Sequence, residues 1–154
     1  VLNANTVGDN NVAIGQRAMC NSITGCNNIA VGYCTMFSNV SGSDNIALGC
    51  RALLTNTTGI GNIAIGYNSL GSSKSICNIG IGVNAGCLIS TGTYNTVIGN
   101  LPGSAALCST VLIGAGATER IKVDDTGLYI NGSLFSSGAA GSLSLADNTN
   151  TNAT

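Results

Sequence analysis

Six asparagines, Asn11, Asn28, Asn45, Asn62, Asn78 and Asn95, stand 16 or 17 residues apart, and each immediately precedes a short apolar run. A carboxamide has two N–H donors and a carbonyl with two lone pairs, so a row of them about 4.8 Å apart can hydrogen-bond amide to amide as a ladder. Turned outward, the same row would offer a polar track to a sugar. Because each Asn leads directly into an apolar run, the inward, structural ladder is the expected arrangement. The seven cysteines have no partner pattern of this kind. Cys20 and Cys87 share a place in the repeat four units apart, and Cys26 and Cys108 share another five units apart, a separation near ~20 Å that a disulfide cannot span. Cys20 with Cys26, or Cys34 with Cys50, stays open. Without a Cys-x-x-Cys spacing or a single His, metal ligation is not expected. The expected role for the thiols is that of small buried hydrophobes, with bridging between chains as a minor alternative. The acids are equally sparse. Asp9 and Asp44 fall in different places of the repeat, and Asp124 and Asp125 are consecutive, so no two carboxylates are set to share a reacting group. The chain reads as a non-enzyme with no cofactor and no metal.

Whatever these residues do depends on the units that carry them. Apolar triplets end in glycine at Gly15, Gly32, Gly49, Gly66, Gly82, Gly99 and Gly114, with steps of 17, 17, 17, 16, 17 and 15 residues. A unit this short cannot enclose a core alone, so the repeat is one turn of a stack. Asn45-Ile46-Ala47-Leu48-Gly49 and Asn62-Ile63-Ala64-Ile65-Gly66 show the pattern, and Asn78-Ile79-Gly80-Ile81-Gly82 is a looser copy. In an extended run the outer Ile, Val and Leu positions point to one side and the central, mostly Ala position to the other. Both sides are apolar, as in strands of a parallel sheet covered on both faces. One face can fill the coil; the other needs a neighbour. Gly25, Gly42, Gly59 and Gly92 recur ten residues after the marker glycines, at a turn, and Met19, Met36, Leu53 and Leu70 recur four after them. Leu2 fits that column too, so the chain reads as starting in mid-coil.

Composition narrows the class. Charged residues make up 7% of 154 residues with a net charge of −1, and the five cations, Arg17, Arg51, Lys74, Arg120 and Lys122, are scattered. Nucleic-acid binding is disfavoured on that basis, and no run approaches the ~20 apolar residues of a membrane-spanning helix. Gly80-Ile81-Gly82-Val83-Asn84-Ala85 matches a dinucleotide-binding pattern but sits on the repeat register, and no amphipathic helix follows. The sequons at Asn39, Asn56, Asn131 and Asn152 carry no weight in a chain so rich in Asn, Ser and Thr. The expected organisation is an all-β, parallel β-roll or β-solenoid over 1–114 in about seven coils, a β-hairpin-like cap or transition module over 115–135 with turns at Asp125-Thr126-Gly127 and Asn131-Gly132, and a flexible linker and tail over 136–154.

The run Gly59-Ile60-Gly61-Asn62-Ile63-Ala64-Ile65-Gly66-Tyr67 resembles the repeats of bacteriophage tail-fibre shafts, and the Asn-Ile-Ala-Ile-Gly motif is similar to the head β-roll of YadA-like trimeric autotransporter adhesins. Glu119 to Asp124 and Thr126 to Leu134 resemble segments that follow such repeats in fibres. The resemblance covers roughly residues 1–135 and implies a left-handed, homotrimeric roll. It implies a structural segment of a phage or phage-like tail fibre, linking the virion to a distal receptor-binding tip in host attachment. Implied partners are the chain itself, further fibre or baseplate proteins, and host-surface glycan through another part of the fibre, with no nucleic acid and no membrane insertion. The alternative is a trimeric surface adhesin head that binds glycan or matrix directly, on the bacterial surface instead of the virion.

Overall fold

A computed structural model describes residues 7–135. The Leu2 position, the tail over 136–154 and the Asn152 sequon lie outside the described residues. Seven short rungs, β1 (Val12–Ile14), β2 (Ile29–Val31), β3 (Ile46–Leu48), β4 (Ile63–Ile65), β5 (Ile79–Ile81), β6 (Thr96–Ile98) and β7 (Val111–Ala115), pair in parallel and in sequence order. Each repeat lies on the next without slippage: Ala30 pairs Ala47, Ala47 pairs Ala64, and Ala64 pairs Gly80. The chain is therefore an all-β solenoid of about six coils stacked between seven rungs. The dinucleotide-like glycines Gly80 and Gly82 are part of this register, on and just after β5.

The coils are joined by backbone hydrogen bonds well beyond the three-residue strands. Met19 N–H donates to the Thr35 carbonyl at 3.0 Å, Met36 to Ala52 at 3.0 Å and Leu53 to Ser69 at 3.0 Å. Such closeness dictates the marker glycines. Gly32 has φ +138°, and a Cβ on it would come within 2.7 Å of the Gly49 carbonyl carbon, so both conformation and space require glycine.

The interior is a single file of side chains. Ala30, Ala47 and Ala64 point in from the rungs, and Met19, Met36, Leu53 and Leu70 meet them from the following turn, all fully buried. Those four residues adopt left-handed φ values of 47–50°, a conformation that costs an L-residue about 1–2 kcal/mol. Full burial of a Leu or Met side chain contributes about 1.5–3 kcal/mol, so packing, with the inter-coil hydrogen bond at the same residue, carries the strain. In the fifth coil the site is Gly86, φ 62°, and the filling side chain is Ile89, three residues later, where earlier coils have Ser22, Asn39, Asn56 and Ser73.

After β7 the chain reverses. β8 (Thr118–Asp124), β9 (Gly127–Ile130) and β10 (Ser133–Phe135) add antiparallel strands to the same sheet, which becomes ten-stranded. The segment beyond 114 folds β8 and β9 into an antiparallel hairpin across the expected turn and, with β10, extends the roll's own sheet. Its turns fall where the sequence places them. Asn131 and Gly132 have φ 49° and 78°, the pair of positive values of a two-residue hairpin turn, and Thr126 N–H donates to Asp124 Oδ1 at 2.9 Å in the other.

Candidate functional site

All six asparagines singled out by spacing lie in one column just inside the rungs. Asn28, Asn45, Asn62 and Asn78 are fully buried, Asn95 is nearly so, and Asn11 at the top of the described stack is half-buried. Every Oδ1 accepts the backbone N–H of the next coil, and those of Asn11, Asn28, Asn45 and Asn78 accept its Asn Nδ2 as well. Asn28 Oδ1 receives Asn45 N–H and Nδ2, both at 3.1 Å, and Asn45 Oδ1 receives Asn62 N–H at 2.9 Å and Nδ2 at 3.1 Å. The second Nδ2 hydrogen goes to the turn of the next coil: Asn28 to Gly42, Asn45 to Gly59, Asn62 to Ser75 and Asn78 to Gly92, at 2.8–2.9 Å, with Asn95 closing on Leu107. From Asn28 to Asn95 both the oxygen and the nitrogen of every amide are thus engaged within the stack. A polar column of this kind is structural, since from Asn28 to Asn95 its amides are buried away from any sugar and bonded to one another and to the turns. It ends at Thr110, whose N–H donates to Asn95 Oδ1 at 3.1 Å while its own hydroxyl turns to the Cys108 carbonyl. A shorter column, invisible to the spacing argument, pairs Asn56 Nδ2 with Asn39 Oδ1 at 3.3 Å. Both residues are fully buried, so neither of these two sequons presents its amide for glycosylation.

The cysteines depart from expectation. All seven are free thiols, and only Cys34 is buried; Cys77 and Cys108 are exposed and the others half-buried. The expectation of small buried hydrophobes fails because most of them fall on the outward turns. Cys26 and Cys108 Sγ accept the Asp9 and Thr93 N–H groups, each at 3.4 Å. Burial raises the Cys87 thiol above its ordinary pKa.

The apolar outer face of the sheet has no cover in the single chain. Two rows run down it: Val12, Ile29, Ile46, Ile63, Ile79, Thr96 and Val111 in one, and Ile14, Val31, Leu48, Ile65, Ile81, Ile98 and Ile113 in the other. Directly paired residues share a face, so the rows continue across the antiparallel strands through Val123 and Leu128, and through Ile121 and Ile130. Thr96 is the one polar residue in either row. None of these side chains is buried, and Ile14 and Val12 are 59% and 45% exposed. The opposite face of the extension is polar where the rungs would be apolar. Lys122 Nζ lies 2.6 Å from Asp124 Oδ2 and 5.0 Å from the Tyr129 ring centroid, and Thr126 Oγ1 contacts both Asp124 and Tyr129. The hydrogen bond from Lys122, then those from Thr126, hold the Asp124 carboxyl well below the usual carboxylate range.

Grooves open on the described surface. One, of about 460 Å³, opens where the last coil ends, between Leu101, Leu107 and Leu112 and the Glu119 and Lys122 side chains. The other, of about 330 Å³, lies on the turn after the rungs of the first to third coils. Among the described residues no three His, Cys, Asp or Glu side chains gather as a metal site, and no helix is long and apolar enough to cross a membrane. Comparison with protein-family models, with curated proteins and with solved structures finds no match.

Proposed function

We propose that this chain is a structural segment of a trimeric phage or phage-like tail fibre, a rod that links the particle to a distal receptor-binding tip. The observation that carries the reading is the pair of uncovered apolar rows that run along the sheet from β1 to β9. Contiguous apolar surface of this extent marks an interaction face, and its regular rungs suit an identical rung from another copy of the same chain. A face that keeps its character from the first rung through the antiparallel extension suits one long parallel interface, not a local docking spot. Three copies is the number implied by the repeat resemblance, as is the left-handed winding. The bonded interior amide column and the filled core support a structural rod.

The test is location. Gold-labelled antibody against the purified segment is applied to phage particles and to bacterial cells from a culture carrying the gene. Label along the tail fibres of particles is the expected result. Label confined to the cell envelope replaces this reading with the adhesin head.

A further inference from the structure

Four residues on the turn after the rungs alternate in kind from coil to coil. Arg17 and Arg51 hold the second position after the marker glycine in the first and third coils, and Tyr33 and Tyr67 hold the first position in the second and fourth. All four are exposed, the tyrosines at 45% and 46%. Backbone bonds keep the coils in register at this edge: Cys34 N–H donates to the Gln16 carbonyl at 3.0 Å, Arg51 to Tyr33 at 2.9 Å and Asn68 to Cys50 at 2.9 Å. With coils about 4.8 Å apart, the two arginine positions stand about 10 Å apart along the axis, and so do the two tyrosine positions. Between the arginines lies the groove of about 330 Å³, with Cys34, Phe37 and Leu54 as its apolar lining and Ser38 and Thr55 at its sides.

Neither guanidinium has an ion-pair or hydrogen-bond partner among the described residues, where the one salt bridge joins Lys122 to Asp124. No carboxylate lines the groove. Backbone conformation adds a second observation. Arg17 and Arg51 have φ 60° and 62°, and in later coils the same column is filled by Asn68 and Asn84 at 53° and 56°. Asparagine tolerates that conformation better than arginine, and it would continue the Asn68-to-Asn84 amide bond of 3.0 Å. Arginine at this place thus sets a fixed cation at the groove, against local preference, in a chain that has few cations.

We infer that this edge is a binding track for an acidic polysaccharide lying along the roll axis, with uronate carboxylates on Arg17 and Arg51 and sugar rings on Tyr33 and Tyr67. A planar guanidinium fork matches a carboxylate in two parallel hydrogen bonds. A phenol ring offers an apolar face to a pyranose and a hydroxyl to its rim; the Ser38 hydroxyl can exchange hydrogen bonds with sugar hydroxyls, and Thr55 Oγ1, which donates to the Gly71 carbonyl at 3.0 Å, can accept one. Two charges set two coils apart, with an aromatic face between, suit a stiff polymer of rings better than a nucleic acid. The latter has a phosphate on every nucleotide and draws its affinity from many cations, and here there are two in a protein of net charge −1. This site needs only the roll edge and does not rest on the fibre reading.

The assembled protein is titrated calorimetrically with oligogalacturonate, with a neutral malto-oligosaccharide of the same length and with oligothymidylate. Saturable binding of the uronate alone is expected, weakening as salt rises. The double variant Arg17→Gln/Arg51→Gln should lose at least about tenfold in affinity, as expected for removal of charged hydrogen bonds. Lys74→Gln, an exposed cation in another column, should bind as the parent does. Oligomer mass and melting temperature of each variant establish that it is folded, and the three-ligand comparison on the unaltered protein stands without any variant. No uronate binding, equal binding of the neutral sugar, equal or tighter binding of oligothymidylate, or an unaffected double variant would each overturn the inference.

Discussion

The side-chain amide of Asn45 in the buried column takes part in four hydrogen bonds, and its position shows what the amide contributes. Asn45 donates to Asn28 and Gly59 and accepts twice from Asn62. Asn45→Ala leaves Asn62 N–H and Nδ2 facing an empty interior, and each orphaned buried polar group costs about 1–3 kcal/mol. We expect a loss of at least about 2 kcal/mol per chain in denaturant unfolding, against less than about 0.5 kcal/mol for the exposed Asn21→Ala. Equal losses would mean that the column adds nothing beyond its backbone bonds. This column was legible in the sequence because an amide recurs at a fixed place before each apolar run. The left-handed positions were not, because Cys77, Leu53 and Arg51 are not residues that announce positive φ. Cys77 is exposed at φ 56° where the preceding coils have Asn27, Asp44 and Gly61. Cys77→Asn should therefore raise stability by about 1 kcal/mol, read as a higher melting temperature. A lower one would show that the thiol contributes packing that its exposure does not suggest.

At the scale of the element, the three-residue rung is defined by which side its central residue faces. Alternation in the sequence separated Ala47 and Ala64 from their Ile and Leu flanks but did not say which set filled the coil, since both are apolar. The structure turns the alanines inward against Leu53 and Leu70, where a larger side chain has no room. Ala47→Leu or Ala64→Leu should cost about 1–3 kcal/mol by overpacking, while Thr58→Leu on an exposed turn should be nearly neutral. Similar thermal shifts for all three would contradict this facing. Beyond β7 the sequence placed the turns but not the sheet, because nothing in Ile121-Lys122-Val123 says that its neighbour is the last rung. The polar side of that extension gives a pH signature. Asp124 is held below its ordinary value of 3.8 by Lys122 and Thr126. A lowered folded value means that the contribution is complete above the unfolded pKa and is lost only as pH falls through the folded one. The Thr126 amide resonance should thus be unchanged from pH 7 to 4 and shift only in stronger acid. A midpoint at or above 3.8 would show that Lys122 does not hold the carboxylate in solution.

For the whole molecule, the repeat period gave the stack and the two-faced apolar rungs gave its unmet need. Neither could give the length of the uncovered face, because its last strands come from a segment with no repeat. Val111 and Ile113 meet Val123 and Ile121 across an antiparallel pairing, and only the folded sheet shows that the rows continue. A soluble single chain would leave both rows in water at about 25 cal/mol for each Å² of apolar surface, a penalty that association of identical faces removes. In the proposed assembly the rows of each copy meet those of its neighbours. A charge placed in mid-row would then be buried without a partner, which costs several kcal/mol per ion and would recur in every copy. Ile46→Lys and Ile63→Lys should each shift the mass in solution from three chains toward one, or leave the protein insoluble, because the interface is lost while the outward position leaves the coil interior untouched. Lys at Thr58, on an exposed turn, should leave the mass unchanged. Light scattering on the parent and the three variants decides it. A folded, soluble single chain for the parent at micromolar concentration would overturn the assembly, since the apolar rows would then be stable in water without a neighbour.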